Sequence, residues 1–600
     1  MSKYLAELCS LLIEDNYGEF YAHIFSTLLS HGRLLALQLA LKCHLPLRQI
    51  QHGLAVLVQA GLVFHHTTSE GRTSYDANPR NAYNLVRPGR TFELVQKRFG
   101  RAASAIVTQL VLLGHAPVGQ LKTVIRTADE STTVQDHDIE NDRANSTSIV
   151  GSLAKDRPDV EIDNALRELC KHGLICRLRE AHFRTEADTR QLVEEKVHNS
   201  FSSTAKGTKL KEEFAEKVEE AIEKEVNSCI NFRKSGSENM ISQKRKLDDA
   251  DNIPNPKRLK LSNGVAPNEG FDHTYFVGDN TNFLTDSLVV RLNYARIAVL
   301  FRNSRLVSLV TAIYGKNFSR TYEAILNQLE PDLPDPQEDI SLGPEQERPP
   351  GTTSEVDEAL LAQDLAHQEA YKEHSGSPWR SVNGYVNGTK HQLTPEARSH
   401  LEVLCQEPYR FLSRSLEYPD RYVVEYSPLS IHLRNAEIFR IIFARFDKYA
   451  VRIIRVLLDK GKLDEKHLQE LVLMSAKELR QILAMLQQAG FLELQEVPRE
   501  AQRQPSRTIY LWFYDPDRVR KMLIENTYKC MARCFQRMKV ERDKIRPTIE
   551  KSERSDVKGK EENLLARAEL EVLKGWRRKE EWLLGEVGRL DELIFVLRDF

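Results

Sequence analysis

Apolar residues recur along this chain at intervals of four and three in three places, and each run stops at a glycine followed by a second apolar pair. Ile50, Leu54 and Leu57 precede Gly61, with Leu62 and Val63 after it. Ile162, Leu166, Leu169, Gly173, Leu174 and Ile175 fill the same slots, as do Leu479, Leu483, Leu486, Gly490, Phe491 and Leu492. That spacing puts the apolar side chains on one helix face, and a glycine just past the last turn can take the left-handed backbone that closes the helix end. Each copy therefore predicts a helix, an abrupt stop and a strand.

Shorter helices precede each copy. In the first, amphipathic stretches run over 4–14, 19–30 and 34–41, and 62–66 and 83–86 read as strands around the turn-rich segment 67–80. Three helices followed by a two-stranded hairpin make a winged helix, whose third helix commonly enters the DNA major groove. The fold class expected is mainly α with small β-hairpins: four tandem winged helices and a C-terminal antiparallel coiled coil. The divisions are winged helix 1 at 1–88, winged helix 2 at 91–200 with an insert at 129–156 and a hairpin at 174–186, and a charged helix at 201–232. A polar linker at 233–268 is too poor in large apolar side chains to form a core. Winged helix 3 spans 271–430 with an acidic insert at 331–393, and winged helix 4 spans 436–515; the third module lacks the glycine signature and rests on element order. Residues 516–600 form the hairpin, because Trp576, Leu583, Leu590 and Leu597 recur every seven positions with Val587 and Ile594 on the second line of the seam.

Charge refines this picture. The formal net charge is only -1, yet residues 1–128 carry 13 Lys and Arg against 7 Asp and Glu, while 330–373 carry 13 acidic residues against 2 basic ones. A basic front suits contact with a phosphate backbone, with Lys42, Arg48, Arg72, Arg80 and Arg101 as candidates. Base readers are sparse: the helix from Pro46 to Ala60 offers only Arg48, Gln49, Gln51 and Gln59. In the linker, Lys244, Arg245 and Lys246 form one basic cluster and Lys257, Arg258 and Lys260 another, with two prolines between them. That pattern fits a bipartite nuclear import signal, so a nuclear location is expected.

The eight cysteines are scattered and form no paired CxxC set, which favours reduced thiols over zinc or disulfides. There is no run of 18 uncharged apolar residues, so no membrane span is expected. No phosphate-cradling, metalloprotease or nucleophile-elbow motif is present, and His65 and His66 alternate to opposite faces of a strand without further ligands at metal spacing. Neither catalysis nor a cofactor is expected.

The opening LCSLLIEDNYGEFYAHIFSTLLSHGRLLALQLA, the repeated module, and WFYD followed by a helical hairpin resemble the large winged-helix subunit of RNA polymerase III, a family related to the alpha subunit of general factor E of the polymerase II system. The resemblance implies a noncatalytic subunit that sits with two smaller partners as a heterotrimer on the clamp of the largest subunit. It also implies a role in initiation on small untranslated RNA genes, with promoter DNA held in its melted form, and supplies no catalytic residues. Two other classes fit less well. A free-standing DNA-binding regulator would need recognition helices richer in Arg, Asn and Gln, and a scaffold of the proteasome-lid or signalosome type would carry a helical solenoid before a single winged helix.

Overall fold

A computed structural model describes residues 2–68, 71–126, 157–200, 211, 213–222, 285–330, 356–357, 361, 394–406, 408–415, 421–498, 508–557, 559 and 564–600. The insert at 129–156, the linker at 233–268 with its two basic clusters, and most of the acidic insert lie outside the described residues. Residues 213–222 are helical, within the charged helix expected at 201–232.

One plan recurs in four modules: two helices, a short strand or bridge, a further helical segment, and two strands. The first copy comprises α1 (Lys3–Tyr17), α2 (Glu19–His31), β1 (Leu34–Leu35), α3 (Ala36–Cys43), α4 (Leu47–Gln59), β2 (Val63–Thr67) and β3 (Thr73–Ala77), with α5 (Pro79–Asn84) after it. The second comprises α6 (Pro88–Phe99), α7 (Arg101–Leu113), β4 (His115–Pro117), α8 (118–126), α9 (Arg157–Lys171), β5 (Ile175–Arg177), α10 (Glu186–Ser200) and β6 (Val289–Leu292). The third comprises α11 (Tyr294–Tyr314), α12 (Lys316–Leu329), β7 (Val356–Asp357), α13 (Pro395–Leu404), β8 (Ser413–Arg414) and β9 (Arg421–Val423). The fourth comprises α14 (Tyr426–Lys460), α15 (Glu465–Val472), α16 (Ala476–Gln488), β10 (Glu493–Pro498) and β11 (Thr508–Phe513). In the first three the first strand pairs with the last, which pairs with the middle one; in the fourth a single bridge from Leu463 to Trp512 takes the first strand's place beside β11.

The repeated signature forms the same structure each time. Ile50, Leu54 and Leu57, their counterparts Ile162, Leu166 and Leu169, and Leu479, Leu483 and Leu486 are all buried. Gly61, Gly173 and Gly490 take φ of +71°, +69° and +82°. In each case the next amide donates to the carbonyl five residues back at 2.9 Å: Leu62 to Leu57, Leu174 to Leu169 and Phe491 to Leu486. This double-bonded helix stop sends the chain into its strand at a fixed angle.

The first two helices of each module meet at a single residue. It is Gly18 (φ +100°, ψ 167°), Gly100 (+88°, -178°) and Gly315 (+97°, 177°) in the first three modules, and Asp447 (+75°, 177°) breaks α14 in the fourth.

Several expectations are corrected. Residues 79–84 are a helix and not part of a strand, because Pro79 opens it and the Asn78 side chain accepts the Asn81 amide at 3.2 Å; the second wing strand is β3. No hairpin occupies 174–186: β5 pairs with β6, and Glu180–Phe183 is a 3-10 turn. Residues 289–292, expected in the third module, thus complete the second. The acidic insert is not wholly an addition, since its Val356 and Asp357 form β7 against β9. Residues 1–88 do not form one compact body either. Residues 33–77 and 89–293 make one unit, and residues 1–32, 78–88 and 294–600 make the other.

Within the latter unit, α17 (Pro516–Lys544), α18 (Arg546–Ser552) and α19 (Arg567–Ile594) follow the fourth module. Arg598 meets Tyr528, Arg542 meets Glu580, and Lys551 meets Glu569, so α17 and α19 run antiparallel. Trp576, Leu583, Val587, Ile594 and Leu597 are buried, whereas Leu590 is half-buried. The pair is not a free two-helix stalk. Helix α1 lies along α17 in parallel, with Glu7 on Gln536, Glu14 on Lys539 and Asp15 on Arg542.

Candidate nucleic-acid interface

The helix pair α3–α4 and the β2–β3 wing are the first module's candidate interface. His44 (φ +55°) ends α3 in the left-handed region and Pro46 opens α4, which turns the chain sharply between them. Burial of Ile50, Leu54 and Leu57 faces the opposite side of α4 to solvent, exposing Leu47, Arg48, Gln49, Gln51, His52, Ala55 and Val56. Lys42 is exposed on the last turn of α3. At the wing tip the Thr68 amide donates to the Arg72 carbonyl at 3.0 Å, Gly71 takes φ +74°, and Arg72 is exposed.

Lys42, Arg48 and Arg72 thus belong to one helix-turn-helix and wing. Arg101 is also exposed but opens α7 of the second module, and Arg80 lies on α5, in the other compact unit. The structure does not bring all five into one module. Nor is the surface purely cationic: Leu37 and Leu41 on α3 are 61% and 70% exposed. Gln59, an expected polar reader, is used otherwise, since its side-chain amide donates to the carbonyls of Leu113 and His115 at 3.0 Å each. Gly114 fits there only because it lacks a side chain; a Cβ would stand 2.0 Å from the Gln59 carbonyl oxygen.

The corresponding helices elsewhere hold some of their cations in ion pairs. In the second module Lys122 pairs with Asp163 at 2.8 Å and Asp286 at 3.3 Å. In the fourth, Arg480 of α16 pairs with Glu465. Arg33, part of the basic surplus in the sequence, grips Asp188 with both guanidinium ends at 2.8 and 2.7 Å and is committed to structure.

A second polar cluster escaped sequence reasoning because its members lie some five hundred residues apart. The Arg87 Nε donates to Asp591 Oδ1 at 2.9 Å, and its Nη2 pairs with Asp599 Oδ2 at 2.7 Å. Tyr83 OH donates to Asp591 at 2.8 Å, and Arg598 Nη1 donates to Tyr528 OH at 2.9 Å. Both carboxylates are fully buried. Burial alone would raise the Asp599 pKa, but Arg598 and Arg87 overcome it and hold the carboxyl far below the usual range. Charges so paired hold structure; they offer nothing to a phosphate.

His65 and His66 sit on β2, and the His65 ring centroid is 5.4 Å from that of Phe183. Burial, then the nearby Arg184, pushes the His65 pKa down. Among the described residues no three His, Cys, Asp or Glu side chains converge as a metal site.

Comparison with known proteins assigns the modules. Residues 7–68 match the model of the RNA polymerase III subunit RPC82 helix-turn-helix domain, 164–433 match RNA polymerase III subunit RPC82, and 438–514 match the C-terminal winged-helix domain of POLR3C. The chain is 38% identical to DNA-directed RNA polymerase III subunit RPC-3 of Coccidioides immitis, 36% to subunit rpc3 of Aspergillus niger and 37% to subunit rpc3 of Ajellomyces capsulatus, in each case over all of both chains. With four winged-helix modules in order and relatives matched from end to end, the chain belongs to the RPC3 (RPC82) family of RNA polymerase III subunits.

Proposed function

We propose that this chain is a noncatalytic initiation subunit of nuclear RNA polymerase III, docked with two smaller partners on the clamp of the largest subunit and stabilising open promoter DNA. The observation that carries the DNA part is the grouping of Lys42, Arg48 and Arg72, all exposed, on one helix-turn-helix and wing beside few base readers. Such a surface grips phosphates without choosing sequence. Binding of the whole chain to two unrelated duplexes at two salt concentrations tests it. Affinity should drop steeply, roughly tenfold or more between 50 and 200 mM salt, and hardly vary with sequence. Reversing all three charges should flatten the salt dependence. A preference of about 1,000-fold for either duplex would overturn the reading.

Import is proposed to use Lys244, Arg245, Lys246, Lys257, Arg258 and Lys260. A large cytoplasmic reporter carrying residues 240–264 should enter nuclei, and the version with all six replaced by Ala should not. Equal accumulation of the two would assign entry to the polymerase partners.

A further inference from the structure

The break in α14 opens a groove that the proposed DNA contact does not use. Beyond Asp447 the helix folds back far enough for the Arg455 guanidinium to lie 5.2 Å from the centre of the Phe439 ring. Between the two halves and the loop before β8 lies a cavity of about 660 Å³, lined by Tyr409, Phe439, Phe443 and Leu458 with Arg440 and Arg455 among them. Phe443 is 58% exposed and Leu458 37%. Large apolar side chains gathered in a concave, solvent-open site mark a place for a ligand. The backbone supports the same conclusion: Asp447 stands where the sister modules have glycine, at φ +75° and ψ 177°, a region costing other residues roughly 1–3 kcal/mol and tolerated mostly at functional positions.

Charge selects the occupant. Residues 434–462 hold eight Lys and Arg against three Asp and Glu. The cations are interrupted, however: Glu437 pairs with Arg440 at 2.7 Å and with Arg305 at 3.3 Å, and Asp459 lies on the opposite wall. A nucleic-acid strand would carry a phosphate past every one of these carboxylates. An amphipathic helix can place apolar anchors on the aromatic floor and acidic side chains only opposite the arginines. We propose that this groove docks an acidic amphipathic helix from another protein chain of the polymerase.

The test uses the assembled polymerase, with Phe443 replaced by the photo-cross-linker p-benzoylphenylalanine. Irradiation should join it to a segment of another subunit that is net negative and has apolar residues three and four apart, identified by mass spectrometry of the adduct. Arg440→Glu with Arg455→Glu should cut the yield about tenfold, and Arg→Lys at both should largely preserve it, with thermal unfolding of the chain unchanged in each. An adduct on nucleic acid, on this chain itself or on a basic segment would overturn the proposal, as would no adduct beyond the unirradiated control.

Discussion

Gly18, Gly100 and Gly315 each join two helices through one residue with φ between +88° and +100°, and Asp447 does the same work with a side chain. Asp447→Gly should relieve that strain and stabilise the fourth module by about 1 kcal/mol, read as slower hydrogen exchange of the α14 amides around Ile453 and Ile454. Unchanged or faster exchange would show that the aspartate is at ease there. Modules one and four show how much was legible. The helix-stop glycines stood out because periodic apolar residues frame them; the turn residues did not, since Asp447 hides the match. Once it is placed, Gly18, Gly32 and Gly61 align with Asp447, Gly461 and Gly490 at identical spacings.

Histidines give a second prediction at this scale. His182 is pushed down to about 4, by burial first and then by Arg291, and burial also lowers His65 and His115. An unfolded histidine binds its proton near pH 6.5, so the unfolded state holds more protons between pH 6.5 and 4 and stability is lost as pH falls through that window. The unfolding midpoint of the unit holding 33–77 and 89–293 should drop across it, and His182→Gln should flatten the drop.

Among elements, the helical pair offers the sharpest contrast. Leu583 is buried and Leu590 only half-buried. Leu583→Asp puts an unpaired charge against α17 and should cost about 3 kcal/mol, with Leu590→Asp well below that. Chemical unfolding followed by circular dichroism compares them; equal losses would mean that the heptad reading placed the wrong line of residues inside. The seam was readable because seven-residue spacing is a local signal. The second module's wing was not. Its strands β5 and β6 are three and four residues long and separated by more than a hundred positions, too short for alternation to show and too distant for a turn motif to link them. The third module was blurred for a related reason: α13 ends without a glycine stop, and Arg410 (φ +45°) turns the chain several residues later.

At the scale of the molecule, helices from the two ends of the numbering share one core. Arg87→Met would leave Asp591 and Asp599 short of a cation in a buried site and should cost about 3–5 kcal/mol, measured by denaturant unfolding. A loss below about 1 kcal/mol would mean that water or Arg598 compensates. The Asp599 contribution follows the same linkage as that of the histidines from a different cause: neighbouring arginines favour its charged form, whereas burial disfavours theirs. Its folded pKa is depressed, so its stabilisation is present above about pH 4 and fades as the pH falls further.

That shared core also orders events in time. At roughly 5–20 residues per second, a ribosome reaches α17 on the order of half a minute to two minutes after finishing α1. Until then the side of α1 carrying Tyr4, Glu7, Glu14 and Asp15 has no α17 to meet, and Arg87 has neither of its carboxylates. A nascent chain of this design should therefore lean on holdase chaperones through most of its synthesis, and a product cut short before residue 591 should be degraded faster than the full chain in a pulse-chase, because that seam stays unfinished.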